Sequence, residues 1–379
     1  MTEGSWTLLM QSRLVVRARD VYAMLPEEAS ADYEMQSKRG ADAELLKHLK
    51  IVCILAQART LKNNANLLTI VILSRGKCGL SKCISRYMVA MTTADLLVLI
   101  FEVILYEIKE MYFTNSFLDY TSICRLQFTF SFISIDCSVW LTVAFSFDRS
   151  VSICYQKLRN KYCTEKTALV VIAAVCALSV LKNIPFYFVN KPGIMIDNIP
   201  WFCVVKSAFY ILPYWMAYLW LNTILTPLAA FFLILFFNAL TIRHIVVTNR
   251  VRRGFREKSK DPEIESRRKS IILLLAISGS FILLWILISI CDFSVQFTEN
   301  QFYQSDYNDP FTIMEQTGFM LQRLSSCTNT VIYAVVQTKF RDELKNIIKY
   351  PFTRMIKLSI TLSSSHQITT LSFTLSHFV

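Results

Sequence analysis

The sequence predicts an all-α membrane protein, a seven-transmembrane helix bundle with a short amphipathic C-terminal helix. Three observations predict it. Hydrophobic residues make up 54% of the 379-residue chain and charged residues only 18%, against about 45–50% and about 25% in a soluble domain. The apolar residues gather into long segments that are apolar all round, where a water-soluble helix would carry a stripe. The loops between those segments alternate between rich and poor in Lys and Arg.

The elements follow in order. Residues 65–73 (Ala-Asn-Leu-Leu-Thr-Ile-Val-Ile-Leu) make half of a first span, and Arg59, Lys62, Asn63 and Asn64 interrupt it upstream. Each central Arg or Lys costs about 2.5–3.5 kcal/mol on insertion scales. Two readings stand: residues 1–64 derive from an alternative or mispredicted exon, or the first helix is real but short and strained. RNA sequencing across residues 60–66 separates them. The second to fourth spans are expected near 87–106, 125–147 and 167–189. The third runs from Cys124 to Asp148-Arg149; as a helix it is roughly 37 Å long, enough to cross a hydrocarbon core of about 30 Å. Between Trp215 and Ile242, and again between Ser270 and Cys291, there is no charged residue, which gives the fifth and sixth. The seventh is expected at 311–336. The chain therefore divides into an atypical extracellular segment at 1–50, a membrane domain at 51–337, an amphipathic helix at 338–350 and a Ser/Thr-rich cytoplasmic tail at 351–379.

Loop charge sets the orientation. Arg75, Lys77, Lys82 and Arg86 follow the first span, and Lys157, Arg159, Lys161 and Lys166 follow the third. The loop after Ile242 carries ten Lys/Arg against four Asp/Glu, and Lys339, Arg341, Lys345 and Lys349 follow the last span. The loop before the seventh span holds Asp292, Glu299, Asp306 and Asp309. Lys/Arg-rich loops face the cytoplasm, so the N-terminus is expected outside. The formal charge of +12 is then a topology signal rather than a nucleic-acid footprint, because it is scattered over loops between spans. The eleven cysteines and four histidines show no zinc spacing. No paired acids or Ser/His set within the spans suggests an enzyme. A helical transporter or channel is the alternative class, and it favours inverted repeats and Gly/Pro-broken helices; neither is visible.

Taken in order, the motifs resemble the rhodopsin-like (class A) G-protein-coupled receptors from residue 65 to about 350. They are Asn66, Ala94-Asp95-Leu96, Cys124, Asp148-Arg149, Pro227, Phe281 with Trp285, and Asn329-x-x-x-Tyr333. LSRGKCGLSKCISRYMVAM and QKLRNKYCTEKTA are similar to the orphan family named "G-protein coupled receptor 139". The class pattern is broken at Ser150, Leu235, Leu287 and Thr330, and by the lack of a tryptophan in the fourth span. Loss of the proline at Leu287 removes an expected kink.

The resemblance implies a plasma-membrane receptor that passes an extracellular ligand signal to a heterotrimeric G protein. It implies a disulfide between Cys124 and Cys203, in keeping with oxidation outside the cell, and G-protein coupling through Asp148 and Arg149. The foot of the sixth helix reads Arg267-Arg268-Lys269, where many resting receptors hold an acid. Elevated basal signalling is therefore expected, with Glu265 as a substitute partner. Val139, Pro227, Phe281 and Trp285 would form a packing switch, with Asn329 and Tyr333 below it. Family spacing sets Ser138, Ser325, Ser326 and Asn329 around Asp95, a set suited to sodium or to a water-filled polar network. No other cofactor is implied.

The ligand pocket implied is Glu102, Ser131, Phe132, Ile135, Trp285, Phe319 and Arg323. Ser131 stands seven residues beyond Cys124, where amine receptors carry Asp, and Arg323 stands where opsins carry the retinal lysine. Arg323 inside a span needs a counter-ion: either Glu102 supplies it, or Arg323 receives a ligand carboxylate. Asp136 is a buried contact or a pocket acid. The resemblance implies small aromatic amino acids or peptide fragments as ligands. The tail at 359–376 suits receptor kinases and arrestin, and the helix at 339–350 suits the inner leaflet. A non-functional receptor with a defective first span is a further alternative.

Overall fold

The computed structural model describes residues 65–76, 78–109, 116–253, 262–296 and 310–347. Expectations for residues 1–64 and for the tail from 348 on fall outside them, as do the side chain of Glu265 and most of the acidic loop before the last span. Seven principal helices run through the described residues: α1 Ala65–Ser74, α2 Lys82–Ile108, α3 Thr121–Cys154, α4 Glu165–Phe188, α5 Pro213–Thr248, α6 Pro262–Val295 and α7 Pro310–Val336. Residues 338–347 form an eighth, α8. Of these, α2 to α5 and the Arg268–Val295 part of α6 are each long and apolar enough to cross a membrane. At 34 residues, α3 is about 50 Å long, so it must tilt or project beyond a core of about 30 Å.

The outward faces show the solvent for which the bundle is built. Val170, Leu178 and Leu181 on α4, Phe232 and Leu235 on α5, Leu283 on α6 and Val331 and Val335 on α7 are all exposed. Apolar surface this extensive is unsuited to water, whereas helices with internally paired backbones meet lipid without cost. The interior carries two apolar layers. Ile72, Met88, Met91, Leu141, Phe145, Leu273, Ile277 and Tyr333 fill the half nearer Arg149, and Val139, Val143, Ile234, Phe281, Trp285 and Ile288 fill the other.

Polar stitches join the helices between those layers. The Asn66 amide donates to the Ser326 carbonyl at 3.1 Å, and the Thr330 hydroxyl donates to the Asn66 side-chain oxygen at 2.8 Å. Thr69 donates to Thr330 at 3.1 Å. Thr330 is one of the positions at which the class pattern is broken, and its hydroxyl ties α7 to α1. α6 and α7 approach closely at Gly318, where an added Cβ would sit 2.9 Å from the Ile288 nitrogen and 3.0 Å from its Cα. Gly318→Ala is therefore expected to overpack this contact and cost about 1–3 kcal/mol. A lowered Tm of the purified protein checks this; an unchanged Tm would show that α6 and α7 part freely.

Among the described residues, three helices depart from α geometry, α4 by closing in a 3₁₀ turn at Ile184–Phe188. The Leu99–Ile108 half of α2 is π-helical. α5 widens in the same way at Ile224–Ala229, where Thr226 leaves helical torsions (φ −135°, ψ 97°) just before the buried Pro227. Proline lacks an N–H and its ring clashes with the preceding turn, which accounts for the break. α6 carries no interior proline and is one uninterrupted helix, as the loss at Leu287 leads one to expect.

A two-stranded hairpin lies at the Cys124 end and was not expected from the sequence. β1 (Asn190–Ile196) pairs antiparallel with β2 (Ile199–Val205). Asp197 and Asn198 turn it with φ of 48° and 59°, the left-handed pair of a tight hairpin turn. Cys203 on β2 forms a disulfide with Cys124. The Thr121 hydroxyl donates to the Phe202 carbonyl at 2.8 Å, and the rings of Tyr120 and Trp201 meet edge to face at 4.6 Å. The hairpin is thus fixed over the start of α3. At the opposite end, Phe340 of α8 is fully buried against Tyr333, with Leu344 and Ile347 beside it. Part of the apolar face expected to meet lipid is used by the bundle instead.

Candidate functional site

The helix ends and the cavity between them carry the chemistry. At the inner end by loop charge, Asp148 and Arg149 form an ion pair, and both are buried. The guanidinium also lies over the Phe145 ring at 5.8 Å. Two thiols complete the surroundings of Asp148: Cys83 donates to its Oδ1 at 3.2 Å and Cys163 to its carbonyl at 3.7 Å. Cys163 lies in the loop before α4, where burial first and the Asp148 charge second push its thiol up to about 11. It is therefore a neutral donor at physiological pH. Cys78, Cys83, Cys154 and Cys163 are all free thiols.

Midway along the bundle, Asp95 is buried and accepts from the Ser138 hydroxyl at 2.6 Å and the Asn329 amide at 2.7 Å. A small cavity beside it is lined by Asp95, Ser138, Thr142, Phe281, Ser325 and Asn329. Ser325 accepts from the Trp285 indole N–H at 2.9 Å and donates to the Gln322 carbonyl. Its hydroxyl thus links the tryptophan to the polar cavity. Ser326 departs from the expected set: it lines the next cavity outward, and its carbonyl holds Asn66. Phe281 and Trp285 sit with ring centroids 5.1 Å apart in the layer that contains Val139. Pro227 is buried at the α5 bulge.

That outward cleft has room for about one water molecule and is lined by Val98, Glu102, Ile135, Ser138, Trp285, Gln322, Arg323 and Ser326. Arg323 donates through Nη1 to Glu107 at 2.5 Å and through Nη2 to Glu102 at 3.3 Å, and it lies 5.8 Å from the Phe319 ring centroid. The sequence pointed to Glu102 and missed Glu107. In an α-helix, positions five apart diverge by about 140°. The π-winding of Leu99–Ile108, with its i→i+5 hydrogen bonds, brings both acids to one side. Ser131, Phe132 and Phe319 do not line the cleft. Phe132 stacks on Phe186 at 4.0 Å in an aromatic cluster with Phe128 and Tyr218, because its side of α3 faces α4 and α5.

Asp136 faces the same way. Its carboxylate accepts from Lys182 at 2.7 Å and Asn183 at 2.5 Å. Lys182 also reaches Thr226 at 3.3 Å, and the Tyr218 hydroxyl donates to the Lys182 carbonyl at 3.0 Å. Asp136 is a buried interhelical contact and not a pocket acid.

Comparison with known proteins agrees with this geometry. The family model described as "7 transmembrane receptor (rhodopsin family)" matches residues 65–333. The "C5a anaphylatoxin chemotactic receptor 1" of Oncorhynchus mykiss is 25% identical over 242 residues, covering 64% of this chain and 65% of that receptor. The chain thus spans just under two thirds of the length of that relative. The buried Asp95 network, the Asp148–Arg149 pair and the Cys124–Cys203 bridge lie within the matched region. The chain belongs to the rhodopsin family of seven-transmembrane receptors.

Proposed function

We propose that this protein is a plasma-membrane receptor, with its N-terminus outside, that couples a small extracellular ligand to a heterotrimeric G protein. The observation that carries the reading is the buried Asp148–Arg149 pair at the inner end of α3. A guanidinium cannot deprotonate, so it stays paired while the helices are closed and becomes available to a transducer when they part. The ligand enters beside the hairpin and meets the cleft of Glu102, Ile135, Trp285 and Arg323. As it stands the cleft has room for about one water molecule, so an aromatic amino acid or the end of a short peptide enters only as the helices around it part. The similarity of two loop stretches to the "G-protein coupled receptor 139" family supports the same ligand class. Receptor kinases and arrestin act on the tail, and the reading assigns no enzymatic chemistry.

Asp95, Ser138 and Asn329 would hold a sodium ion. A carboxylate offers about four lone-pair directions, and the two donors on Asp95 leave room for a hard cation. Sodium would hold the resting state, so replacing it with choline should lower the Tm; a Tm indifferent to the exchange would remove sodium from the reading.

The decisive experiment exposes cells expressing the receptor to a panel of aromatic amino acids and short peptides, read through calcium and cyclic AMP. A response absent from mock-transfected cells supports the reading. Uptake of a panel member into vesicles without any nucleotide exchange would point to a transporter.

A further inference from the structure

Arg323 and Glu102 share one cleft but not one degree of engagement. Glu107 holds one arm of the Arg323 fork at 2.5 Å from a side chain only 4% exposed. Glu102 meets the other arm at 3.3 Å and is 19% exposed, well beyond the 2.7–2.9 Å typical of a charge-assisted bond. Both terminal nitrogens of Arg323 are already engaged by carboxylates, so a ligand carboxylate would have to displace one of them to gain the two-pronged grip by which arginine recognises a carboxylate.

Among the lining residues, Ser138 and Trp285 direct their donors at Asp95 and Ser325. Glu102, Gln322 and Ser326 remain as polar groups that border the cleft, and of these Glu102 alone carries a charge. With Arg323 neutralised by Glu107, Glu102 is the acid that a ligand can claim. We propose that Glu102 receives a primary ammonium group of the ligand, and that the loose Glu102–Arg323 contact opens to admit it. This rests on the receptor reading above and reverses the polarity of one of the two readings the sequence left open, that in which Arg323 receives a ligand carboxylate. An ammonium offers three donors, and the Glu102 carboxylate oxygens can accept them. The Trp285 ring at the floor attracts a cation. The π-winding is the device: it lets Glu107 hold Arg323 while Glu102 turns to the cleft.

The test uses the full chain in lipid nanodiscs with two probes of similar shape and opposite charge, 2-phenylethylamine and 3-phenylpropionate. The amine is expected to bind, and the acid is expected not to bind at the same concentration. Glu102→Gln should weaken the amine at least about tenfold, equivalent to about 1.4 kcal/mol. Binding of the acid in preference to the amine, binding of neither, or an unchanged amine affinity in Glu102→Gln would each overturn the proposal. The comparison of the two probes on the unmodified receptor decides even where the variant does not reach the membrane. Nucleotide exchange on a G protein is measured in parallel. Amine binding with no exchange under any condition overturns the receptor reading and leaves Glu102 as the amine site. Exchange driven by another panel ligand, with no amine binding, overturns the amine site alone.

Discussion

Asp148→Asn should raise ligand-independent nucleotide exchange severalfold over that of the unmodified receptor. Arg149 is 3% exposed and its guanidinium pairs with Asp148. Removing one partner of a buried pair costs about 3–5 kcal/mol, because the other charge is left without compensation. Asparagine keeps the shape and an acceptor for the Cys83 thiol, so the change falls on the charge and not on packing. The cost applies to the closed arrangement, where Arg149 is enclosed. It does not apply to an open one, where the guanidinium reaches water or a transducer. A shift of even 1.4 kcal/mol between two states changes their ratio tenfold. Arg149→Gln should act the other way and bring exchange close to background. Cys83→Ala removes only a thiol donor at 3.2 Å and should raise basal exchange less than Asp148→Asn does. Guanine-nucleotide binding in membranes matched for receptor surface level checks all three. Basal exchange in Asp148→Asn equal to that of the unmodified receptor would refute the lock.

The membrane-crossing part of α3 was legible in the sequence because a cysteine and a charge pair stand at the two limits of one apolar run, but the helix itself starts at Thr121 and ends at Cys154, beyond both. The position of Asp95 was legible because an acid inside a span has few uses. Its neighbours were read less well. Ser325 and Ser326 are adjacent, and adjacent residues on a helix point about 100° apart. Only one of them can face Asp95, and Trp285 decides which by donating to Ser325. Glu107 escaped because the α-helical period that exposes most patterns hides this one. Only the local π-winding sets Glu102 and Glu107 side by side. Phe132 was placed in the pocket by its aromatic character, yet on α3 it lies one residue from Ser131 and turns to the Phe186 cluster. The hairpin left a usable signal that was not taken up: Asp197-Asn198, two residues that tolerate positive φ, lie between two runs of β-forming residues. The π segment has no comparable sequence signature, and its consequence for Arg323 became visible only in three dimensions.

The second large effect is expected at Asp136, whose carboxylate is buried between α3 and α4 against Lys182 and Asn183. Lys182→Met alone should destabilise the receptor by about 3–5 kcal/mol, since it leaves a carboxylate buried within the bundle with Asn183 as its remaining donor. Asp136→Asn alone should cost a similar amount, because the ammonium of Lys182, 15% exposed, would keep only the Thr226 hydroxyl at 3.3 Å. The double variant Asp136→Asn with Lys182→Met removes both charges and should recover most of that loss, because a neutral pair of similar volume is often as stable as a buried ion pair. The non-additivity is the measurement: Tm of the singles well below the unmodified receptor, and Tm of the double close to it. Additive losses would mean that the pair acts through packing and not through charge. The location makes the result informative about movement as well. Lys182 ties α3 and α4 to Thr226 at the α5 bulge, beside Pro227. Within the double variant the bulge is released from this tether while stability is restored, so a change in basal exchange there reports on bulge motion alone.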